Sequence, residues 1–519
     1  MIEIKNPYSR KRFSLKEKAQ KKFTRLVVPW IRKIPLNDDY NAKRRFVPQS
    51  INRLRIDIEY KGGSLWTNNI PSGVEVNLVS MYVAEYIPIE NIDKLNKGLK
   101  KIFKNFAPKR FNTNDISRID DFCRKVKESI HGTRWSRFGF LEIDKEHELS
   151  KFVKRISVNG SQISSSSIII EFIIEPSDNF HKEYKELIEK NVEEETVLTP
   201  KFKYFFSSWG STTPSNIIAK EQMVEDFLLE LKWRTLKEIS KYFDMYFTIN
   251  KLIPPSIEVY KINQNSCELK STKNEFWESI GMRNNYLHEI SKDGYWQLFV
   301  NDRDTIDSSI KFACNNEVPK DDMFHSLDFQ LEYRIKELAL HLFPIMVMRD
   351  FTLSLSKKIA KQQEKTFKSI KKENPNYNKL INIRYELEQN LQILKRFKNE
   401  MGNDEFEWIK GKITSNLNEF EPAIKRANHK PFGKVIVDNT IFLVGKTDTL
   451  SLNFAKIIDD TVKLLELKTN NSLRTRTFWL TVSTSLLSVL AIVIATLQLT
   501  DDKISRIKEF LESIANFFI

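Results

Sequence analysis

The sequence predicts an α+β cytoplasmic body followed by a long-helical stalk and one C-terminal transmembrane helix. Three observations support this fold class: strand-like and helical stretches alternate up to about residue 320, long amphipathic helices follow, and residues 477–500 carry no charge. The predicted segments are a basic N-terminal arm (1–54), an α+β domain (55–320), a helical stalk domain with a small β-hairpin (321–473), the transmembrane helix (477–500) and a short amphipathic tail (501–519).

The N-terminal arm holds most of the positive charge. Residues 1–54 contain fifteen Lys and Arg and four Asp and Glu, which gives +11 of the net charge of +15. Such arms bind polyanions. The candidate binding residues are Arg10, Lys11, Arg12, Lys21, Lys22, Arg44 and Arg45. The anionic inner leaflet of a membrane is the favoured partner, at about 1 kcal/mol per basic residue close to the surface. Nucleic acid is the alternative partner, and plain solubility is a third interpretation.

The α+β domain begins with a strand and two helices. Residues 74–89 are rich in β-branched and aromatic side chains and predict a strand that ends at Pro88. The spacing of apolar residues predicts a helix over 92–106. Thr113 or Asn114 is placed to cap a further helix that runs to about residue 130.

The rest of this domain mixes both element types. Residues 155–176 predict a hairpin, with two β-rich runs around Asn159-Gly160 and a Ser tract. A helix is predicted over 221–246, and shorter strands are predicted over 256–261 and 295–301. These patterns define an α+β body but not its strand order.

Long helices dominate the stalk domain, over 323–372 and 376–401. Apolar residues of the second helix step by three and four: Leu380, Ile383, Leu387, Leu391 and Leu394. This stripe indicates an intramolecular core seam, with an intermolecular coiled coil as the alternative. The segment KVIVDNTIFLVG (434–445) predicts the small β-hairpin, and a last helix from residue 450 leads into the span.

The uncharged run of 24 residues is long enough to cross a membrane. As a helix it extends roughly 36 Å, against roughly 30 Å for the hydrocarbon core of a bilayer. Phe478 and Trp479 lie at one edge, where interfacial aromatic residues belong. A buried helix of a soluble domain, the alternative interpretation, predicts a shorter apolar run of about 10 to 14 residues.

One face of the predicted span is lined with small residues: Thr484, Ser488, Ala491 and Ala495. Small residues let membrane helices approach closely, so this face predicts self-association and a homo-oligomer. The alternative is that the hydroxyl groups only bond the carbonyl groups four residues earlier in their own helix.

The body of the chain is expected to face the cytoplasm. The first residues lack the apolar stretch of a secretory signal. Four flanking basic residues precede the span (Lys463, Lys468, Arg474, Arg476) and three follow it (Lys503, Arg506, Lys508), which is a small bias in the same direction. The three widely spaced cysteines indicate reduced thiols rather than a disulfide framework.

Common cofactor and metal motifs are absent from the sequence. Glycine contributes 14 of 519 residues and no GxGxxG occurs. Gly445-Lys446-Thr447 resembles the end of a phosphate-binding loop, but Thr440 stands where that loop needs a glycine. The His and Cys residues show no metal-ligand spacing, so no cofactor and no metal are expected.

One short motif suggests an enzyme. RNNYLH, from Arg283 to His288, resembles the Arg–(four to six residues)–His motif of the HEPN ribonucleases. This resemblance implies metal-independent RNA cleavage with Arg283 and His288 as catalytic residues. The spacing also occurs at Arg124/His131 and Arg334/His341, and the alternative interpretation of His288 is an ordinary surface or capping histidine.

The sequence therefore predicts a membrane-anchored binding, sensing or effector protein that is not an enzyme, with a membrane-tethered HEPN-like ribonuclease as the alternative. A composition heavy in Lys, Asn and Ile suggests an AT-rich genome. In such genomes, membrane-anchored stress or phage-defence effectors are a plausible context.

Overall fold

The computed structural model describes residues 7, 26, 70, 73–106, 113–128, 134–164, 167–190, 197–200, 209–212, 216–263, 280, 287–300, 309–315, 318, 323, 326–370, 377–423, 430–497 and 501–518. The chain divides into two compact units. Unit 1 comprises the described residues of Met1–Ser354 and Ile393–Thr447, and unit 2 those of Leu355–Gln392 and Asp448–Ile519.

Unit 1 is built on a mixed sheet. The described strands are β1 (Val76–Pro88), β2 (Arg134–Glu142), β3 (Val153–Ser164), β4 (Ser167–Pro176), β5 (Val197–Pro200), β6 (Trp209–Thr212), β7 (Ser256–Ile262), β8 (Leu287–Ser291), β9 (Trp296–Val300), β10 (Ser309–Asn315) and β11 (Phe420–Pro422). Nine of them form one sheet in the order β11-β8-β9-β10-β7-β1-β4-β3-β2, and β5 pairs with β6 separately. All pairs in the large sheet are antiparallel except β10 with β7.

The described α-helices are α1 (Ile92–Phe106), α2 (Thr113–Glu128), α3 (Asp178–Glu189), α4 (Asn216–Ile239), α5 (Tyr246–Ile249), α6 (Leu327–Ile370), α7 (Tyr377–Glu400), α8 (Asp404–Leu417), α9 (Phe432–Leu497) and α10 (Asp501–Phe518). α6, α7 and α9 each contribute residues to both units.

The two faces of the large sheet have different neighbours. Alternate residues of β1 and β4 point to one face, where Val83 and Phe172 join the main hydrophobic core with apolar residues of α1 to α4. The first part of α6 packs on the other face. There the Tyr82 hydroxyl donates to the carbonyl oxygen of Glu332 at 3.4 Å, and the rings of Tyr86 and Phe351 lie 5.1 Å apart.

Several predicted elements are confirmed. The strand predicted over 74–89 is β1, the helix over 92–106 is α1, and the helix beginning at Thr113 or Asn114 is α2. The strands predicted at 256–261 and 295–301 are β7 and β9, and the long helices predicted over 323–372 and 376–401 are α6 and α7. The helix predicted over 221–246 ends earlier, at Ile239.

The hairpin predicted over 155–176 is β3 and β4, but Asn159-Gly160 does not form its turn. Both residues lie within β3, and the connection falls in the Ser tract. A Cβ atom at Gly160 would lie 2.7 Å from Cζ of Phe138. The glycine is therefore explained by the Phe138 ring packed against the strand and not by a turn conformation.

The hairpin predicted over 434–445 is wrong, because this segment lies inside α9. Its buried residues Ile436, Val437, Thr440 and Val444 recur every three to four positions, so one helix face is buried in unit 1. This burial outweighs the strand preference of the β-branched residues. Gly445-Lys446-Thr447 accordingly lies in the middle of a helix.

Unit 2 consists of helical segments from α6, α7 and α9, together with α10. Leu380, Leu387 and Leu391 of the predicted stripe are buried, as is Ile458 of α9. Arg384 of α7 pairs with Asp459 of α9 at 3.0 Å, and the Tyr377 hydroxyl donates to Glu466 at 2.8 Å. The α7 stripe therefore packs within the chain, as the first interpretation of its spacing expects.

Candidate functional site

A long exposed apolar surface occupies the C-terminal part of α9. Between residues 478 and 493, nine large apolar side chains are each 50–67% exposed: Phe478, Trp479, Leu480, Leu486, Leu487, Val489, Leu490, Ile492 and Val493. Soluble proteins rarely expose so continuous an apolar surface without a membrane or a partner to cover it.

Burial distinguishes the two described helices that are long and apolar enough to cross a membrane, α6 and α9. The apolar part of α6 is 83% buried in the protein, whereas that of α9 is 0% buried. Leu342, Phe343 and Met346 of α6 have no exposed surface. α6 is therefore a core helix, and α9 carries the surface that suits a bilayer.

The hydroxyl groups along this surface bond within their own helix. The Thr484 hydroxyl donates to the carbonyl oxygen of Leu480 at 2.5 Å, and that of Ser488 donates to the carbonyl oxygen of Thr484 at 2.9 Å. Ala491 and Ala495 are exposed on the same helix. The bonds satisfy the hydroxyl groups in an apolar medium, and self-association through this small face stays a prediction.

Basic residues flank the apolar surface at both ends, and Trp479 joins them at the first end. Arg474 and Arg476 are exposed just before it, next to Trp479. α10 begins four residues after α9 ends, and it exposes Lys503 and Arg506. This order of basic and aromatic residues around an apolar stretch is typical of the two interfaces of a membrane.

The other predicted sites are only partly described. The seven candidate polyanion-binding residues of the N-terminal arm lie outside the described residues, and so does Arg283. His288 lies on β8, where Nε2 is 2.9 Å from Oε1 of Gln297 and the ring stacks on Phe299 at 4.2 Å. The Arg283–His288 pair therefore stays a prediction, with its histidine on a strand.

A buried glutamate on β1 holds the start of the short helix α5. Glu85 is fully buried, and its carboxyl group accepts hydrogen bonds from the backbone amides of Phe247 and Thr248, both at 3.0 Å. The Thr248 hydroxyl donates to the same group at 2.5 Å. Burial raises the pKa of Glu85 to about 8 although these bonds favour its charged form. The arrangement acts as a helix cap supplied by a distant strand.

A second buried glutamate lies on the sheet face that α6 covers. Glu171 of β4 is directly opposite Asn159 of β3, and each side chain is at most 1% exposed. Burial raises the pKa of Glu171 to about 7, with a smaller lowering by Asn159. Among the described residues, neither side chain has a partner that meets hydrogen-bond distance and angle. Such a pair is a costly arrangement unless a further group completes it.

A buried polar network links β7 and β10 on the core face. Glu258 accepts hydrogen bonds from Tyr260 at 3.0 Å and Ser309 at 2.9 Å, and Lys232 donates to Ser256 at 2.7 Å. A lysine beside a serine resembles a nucleophile and its base. Ser256 is fully buried, however, so a substrate atom cannot reach it, and the network serves to join the strands.

Sequence reasoning did not identify these buried acids. Each one interrupts an apolar strand, as in IIIEFII around Glu171 and VAEYI around Glu85. A single acid inside an apolar run is the signal that marks such positions, because burying a charge is unfavourable without a structural or functional reason. Which acids meet which partners depends on strand pairing, which the sequence left undefined.

The described residues contain no group of three or more His, Cys, Asp and Glu side chains placed to hold a metal ion. No protein-family model matches the chain, and no curated protein shows significant similarity to it.

Proposed function

We propose that this chain is a single-pass membrane protein whose sheet-containing unit faces the cytoplasm and binds a ligand or partner there, in a sensing or effector role. The observation that carries the proposal is the exposed apolar surface of α9 between residues 478 and 493, which contrasts with the buried apolar surface of α6. Covering this surface with lipid removes a large apolar area from water, which is the dominant driving force for membrane insertion.

The cytoplasmic orientation is supported by the cysteines and by charge. Cys123 of α2 and Cys314 of β10 are buried thiols, and burial raises the pKa of Cys123 to about 12. Buried thiols of this kind suit a reducing compartment. The basic residues that precede the span favour the same side, and the basic arm is proposed to contact the anionic leaflet there.

The sheet unit is proposed to bind rather than to catalyse. Its buried acid Glu85 supports a neighbouring element, the short helix α5. Self-association through Thr484, Ser488, Ala491 and Ala495 is proposed as the way in which several copies act together, since close helix approach suits small residues.

Two matched pairs of leucines test the anchor. Leu487 and Leu490 are 67% and 58% exposed within the apolar surface, and Leu464 and Leu467 are 67% and 60% exposed on α9 before it. Leu487→Lys with Leu490→Lys should release the protein from membranes, because each central Lys costs about 2.5 to 3.5 kcal/mol on insertion scales. Leu464→Lys with Leu467→Lys should leave the protein in the membrane fraction.

The measurement is fractionation of cells followed by carbonate extraction, and then protease treatment of sealed right-side-out vesicles. The proposal expects the sheet unit to be protected from protease. Equal membrane retention of both double variants would show that this surface is not the anchor, and digestion of the sheet unit in sealed vesicles would reverse the orientation.

A further inference from the structure

The helix α10, which follows the apolar surface of α9, exposes an apolar face of its own. Ile504, Ile507 and Phe510 recur every three positions and are 47%, 45% and 64% exposed. Residues at this spacing are neighbours on the surface of a helix. We call these three residues the apolar face of α10. Their exposure shows that the rest of the described chain does not cover this face.

Two basic residues of α10 lie at the borders of the apolar face. Lys508 follows Ile504 by four positions, and Arg506 precedes Phe510 by four, so each lies beside an apolar neighbour. With a rotation of about 100° per residue, the two basic residues lie on opposite sides of the face. Both side chains are exposed, and neither forms an ion pair with another described residue. Their stems suit apolar surroundings while their charged ends reach outward. We call Arg506 and Lys508 the border residues.

The acidic residues of α10 face the other way. A step of two residues turns a helix by about 200°, so Glu509 points away from Ile507, and Glu512 points away from Phe510. Both glutamates are exposed. The four acidic and three basic residues of α10 leave it with a net charge of −1. Attraction to an anionic surface therefore does not hold this helix in place, and its apolar face has to supply the binding energy.

The chain connection holds α10 close to the end of α9. Only residues 498–500 separate the two helices, and a connection of this length extends at most about 14 Å. The headgroup region of a bilayer is about 5 to 8 Å thick on each side of the hydrocarbon core. When α9 crosses a membrane, α10 therefore begins in or beside the headgroup region, where lipid is the nearest partner for an apolar face.

We propose that α10 lies in the plane of the membrane surface, in the leaflet away from the sheet unit. Its apolar face lies at the boundary between headgroups and acyl chains, its border residues contact phospholipid phosphates, and its glutamates face water. Amphipathic helices bind in this way, with the apolar face about 5 to 10 Å into that boundary. The inference rests on the proposed crossing of the membrane by α9, and it adds a second lipid contact that keeps the end of α9 at a fixed depth.

A second copy of α10 is the competing partner, and the border residues disfavour it. If two copies packed through their apolar faces, Arg506 and Lys508 would flank the interface on both helices. Like charges would then lie across both borders, whichever direction the helices ran, and such pairs are destabilising. Phospholipid phosphates offer the opposite charge at these positions. The arrangement of charge therefore fits lipid better than a second copy.

The test measures the depth of α10 in the full chain, reconstituted into phosphatidylcholine vesicles and isolated by flotation. A polarity-sensitive fluorescent amino acid is placed at position 510 or, as the matched control, at position 512 on the opposite side. Positions 507 and 509 form a second matched pair. A phospholipid with a nitroxide near its headgroup is the quencher. It should quench the labels at 507 and 510 at least about twofold more strongly than those at 509 and 512.

Variants assign the depth to the apolar face. Ile504→Asn with Ile507→Asn should reduce the quenching at position 510 to the level found at 512. Glu509→Gln with Glu512→Gln is the control and should leave the quenching at 510 unchanged. The quenching should also change little between about 0.05 and 0.5 M salt, because salt screens exposed charges and does not weaken apolar burial.

The outcomes separate this inference from the proposed function. A chain that does not float with the vesicles overturns the proposed function, and this inference with it. A chain that floats with equal quenching at 510 and 512 overturns this inference alone. So does a label at 510 with the blue-shifted emission of an apolar environment but no quenching by the nitroxide lipid, since another protein surface would then cover the face. Quenching that is lost at high salt would show that charge, and not the apolar face, holds the helix.

Discussion

The backbone amide of Phe432 donates to Oε1 of Glu289 at 3.0 Å. Phe432 is the first residue of α9, and Glu289 lies on strand β8 of the large sheet, where it is fully buried. The first amides of a helix have no partner within the helix, and a carboxyl group there satisfies one of them and suits the positive end of the helix dipole. The sheet therefore fixes the beginning of the helix whose other end carries the exposed apolar surface.

Removing this cap should loosen the start of α9. Glu289→Ala should lower the free energy of unfolding of unit 1 by about 1 to 3 kcal/mol, because the buried Phe432 amide loses its acceptor. Glu289→Gln keeps an acceptor oxygen and should cost less. Urea unfolding followed by circular dichroism, with hydrogen exchange at the start of α9, measures both effects.

Glu421→Ala is the control for this cap, since Glu421 is exposed on β11, next to β8. It should change the free energy of unfolding by at most about 0.5 kcal/mol. An equal loss of unfolding free energy for Glu289→Ala and Glu421→Ala would mean that the hydrogen bond from Phe432 to Glu289 does not stabilise the fold.

Stability should fall as the pH rises from about 5 to 8. Burial raises the pKa of Glu171 and of Glu289 to about 7 and that of Glu85 to about 8. The pKa of these carboxyl groups is near 4.5 in the unfolded chain, so between pH 4.5 and 7 to 8 the folded chain holds protons that the unfolded chain has released. The protonated groups therefore stabilise the fold fully at low pH, and this stabilisation is lost as the pH rises through 7 to 8. Each pKa unit corresponds to about 1.4 kcal/mol, and the expected total loss exceeds about 1 kcal/mol.

Glu171→Gln isolates one part of this pH dependence. The variant cannot titrate, so its urea midpoint should change less between pH 5 and 8 than that of the wild type. Lys220 has its pKa lowered to about 8 by burial and contributes only above that pH, with the opposite sign. Glu175→Gln is the control and should keep the wild-type slope. A wild-type midpoint that rises with pH would contradict the argument.

The sequence predicted elements with strong local patterns and failed where distant packing decides. β1 and α1 have the residues and the spacing of a strand and a helix, and both were predicted within two residues of their bounds. The segment over 434–445 has strand-like composition, yet Ile436, Thr440 and Val444 are buried on one face of α9. The pairing of Glu171 with Asn159 required the order of β4 and β3, and the contact of Lys336 with Trp135 required α6 to pack on the sheet. No local pattern contains that information.

Gly160 is required by packing against Phe138 and not by the turn that Asn159-Gly160 predicted. Gly160→Ala should lower the free energy of unfolding by about 1 to 3 kcal/mol, because the added Cβ would lie 2.7 Å from the Phe138 ring and 3.1 Å from Cζ of Phe122. Phe138→Leu in the same chain should restore part of the loss by making room. Thermal unfolding of the three variants measures the coupling.

Gly411→Ala is the matched control for this substitution. Gly411 lies in α8, and nothing among the described atoms would come within 4 Å of an added Cβ. This variant should gain stability, by at most about 1 kcal/mol, from the higher helix propensity of alanine. Full stability of Gly160→Ala would mean that β3 and the Phe138 ring shift apart without cost.

His288 provides the test between binding and ribonuclease activity. His288→Ala should lower stability by about 1 kcal/mol, because the stack on Phe299 and the bond to Gln297 are lost. It should leave the cellular effect of the protein unchanged, and so should Arg283→Ala. Gln297→Ala removes the same hydrogen bond without touching the histidine and controls for structural damage. Loss of the effect in folded His288→Ala and Arg283→Ala, but not in Gln297→Ala, would establish the ribonuclease.

The small face of α9 should control self-association. Ser488→Leu and Ala491→Leu place bulky side chains where a second helix must approach closely, so the oligomer should weaken about 3- to 20-fold, from contacts of about 0.6 to 1.7 kcal/mol. Val489→Leu changes a 58% exposed residue next to Ser488 outside this face and should leave the oligomer unchanged. Cross-linking in native membranes and sedimentation in detergent measure the oligomer, and membrane fractionation confirms that each variant is inserted. Two results would show that the small face is not the interface: a wild-type protein that is monomeric in both measurements, or equal weakening of the oligomer by Val489→Leu. The hydrogen bonds of the Thr484 and Ser488 hydroxyl groups within their own helix would then be the whole role of these two side chains.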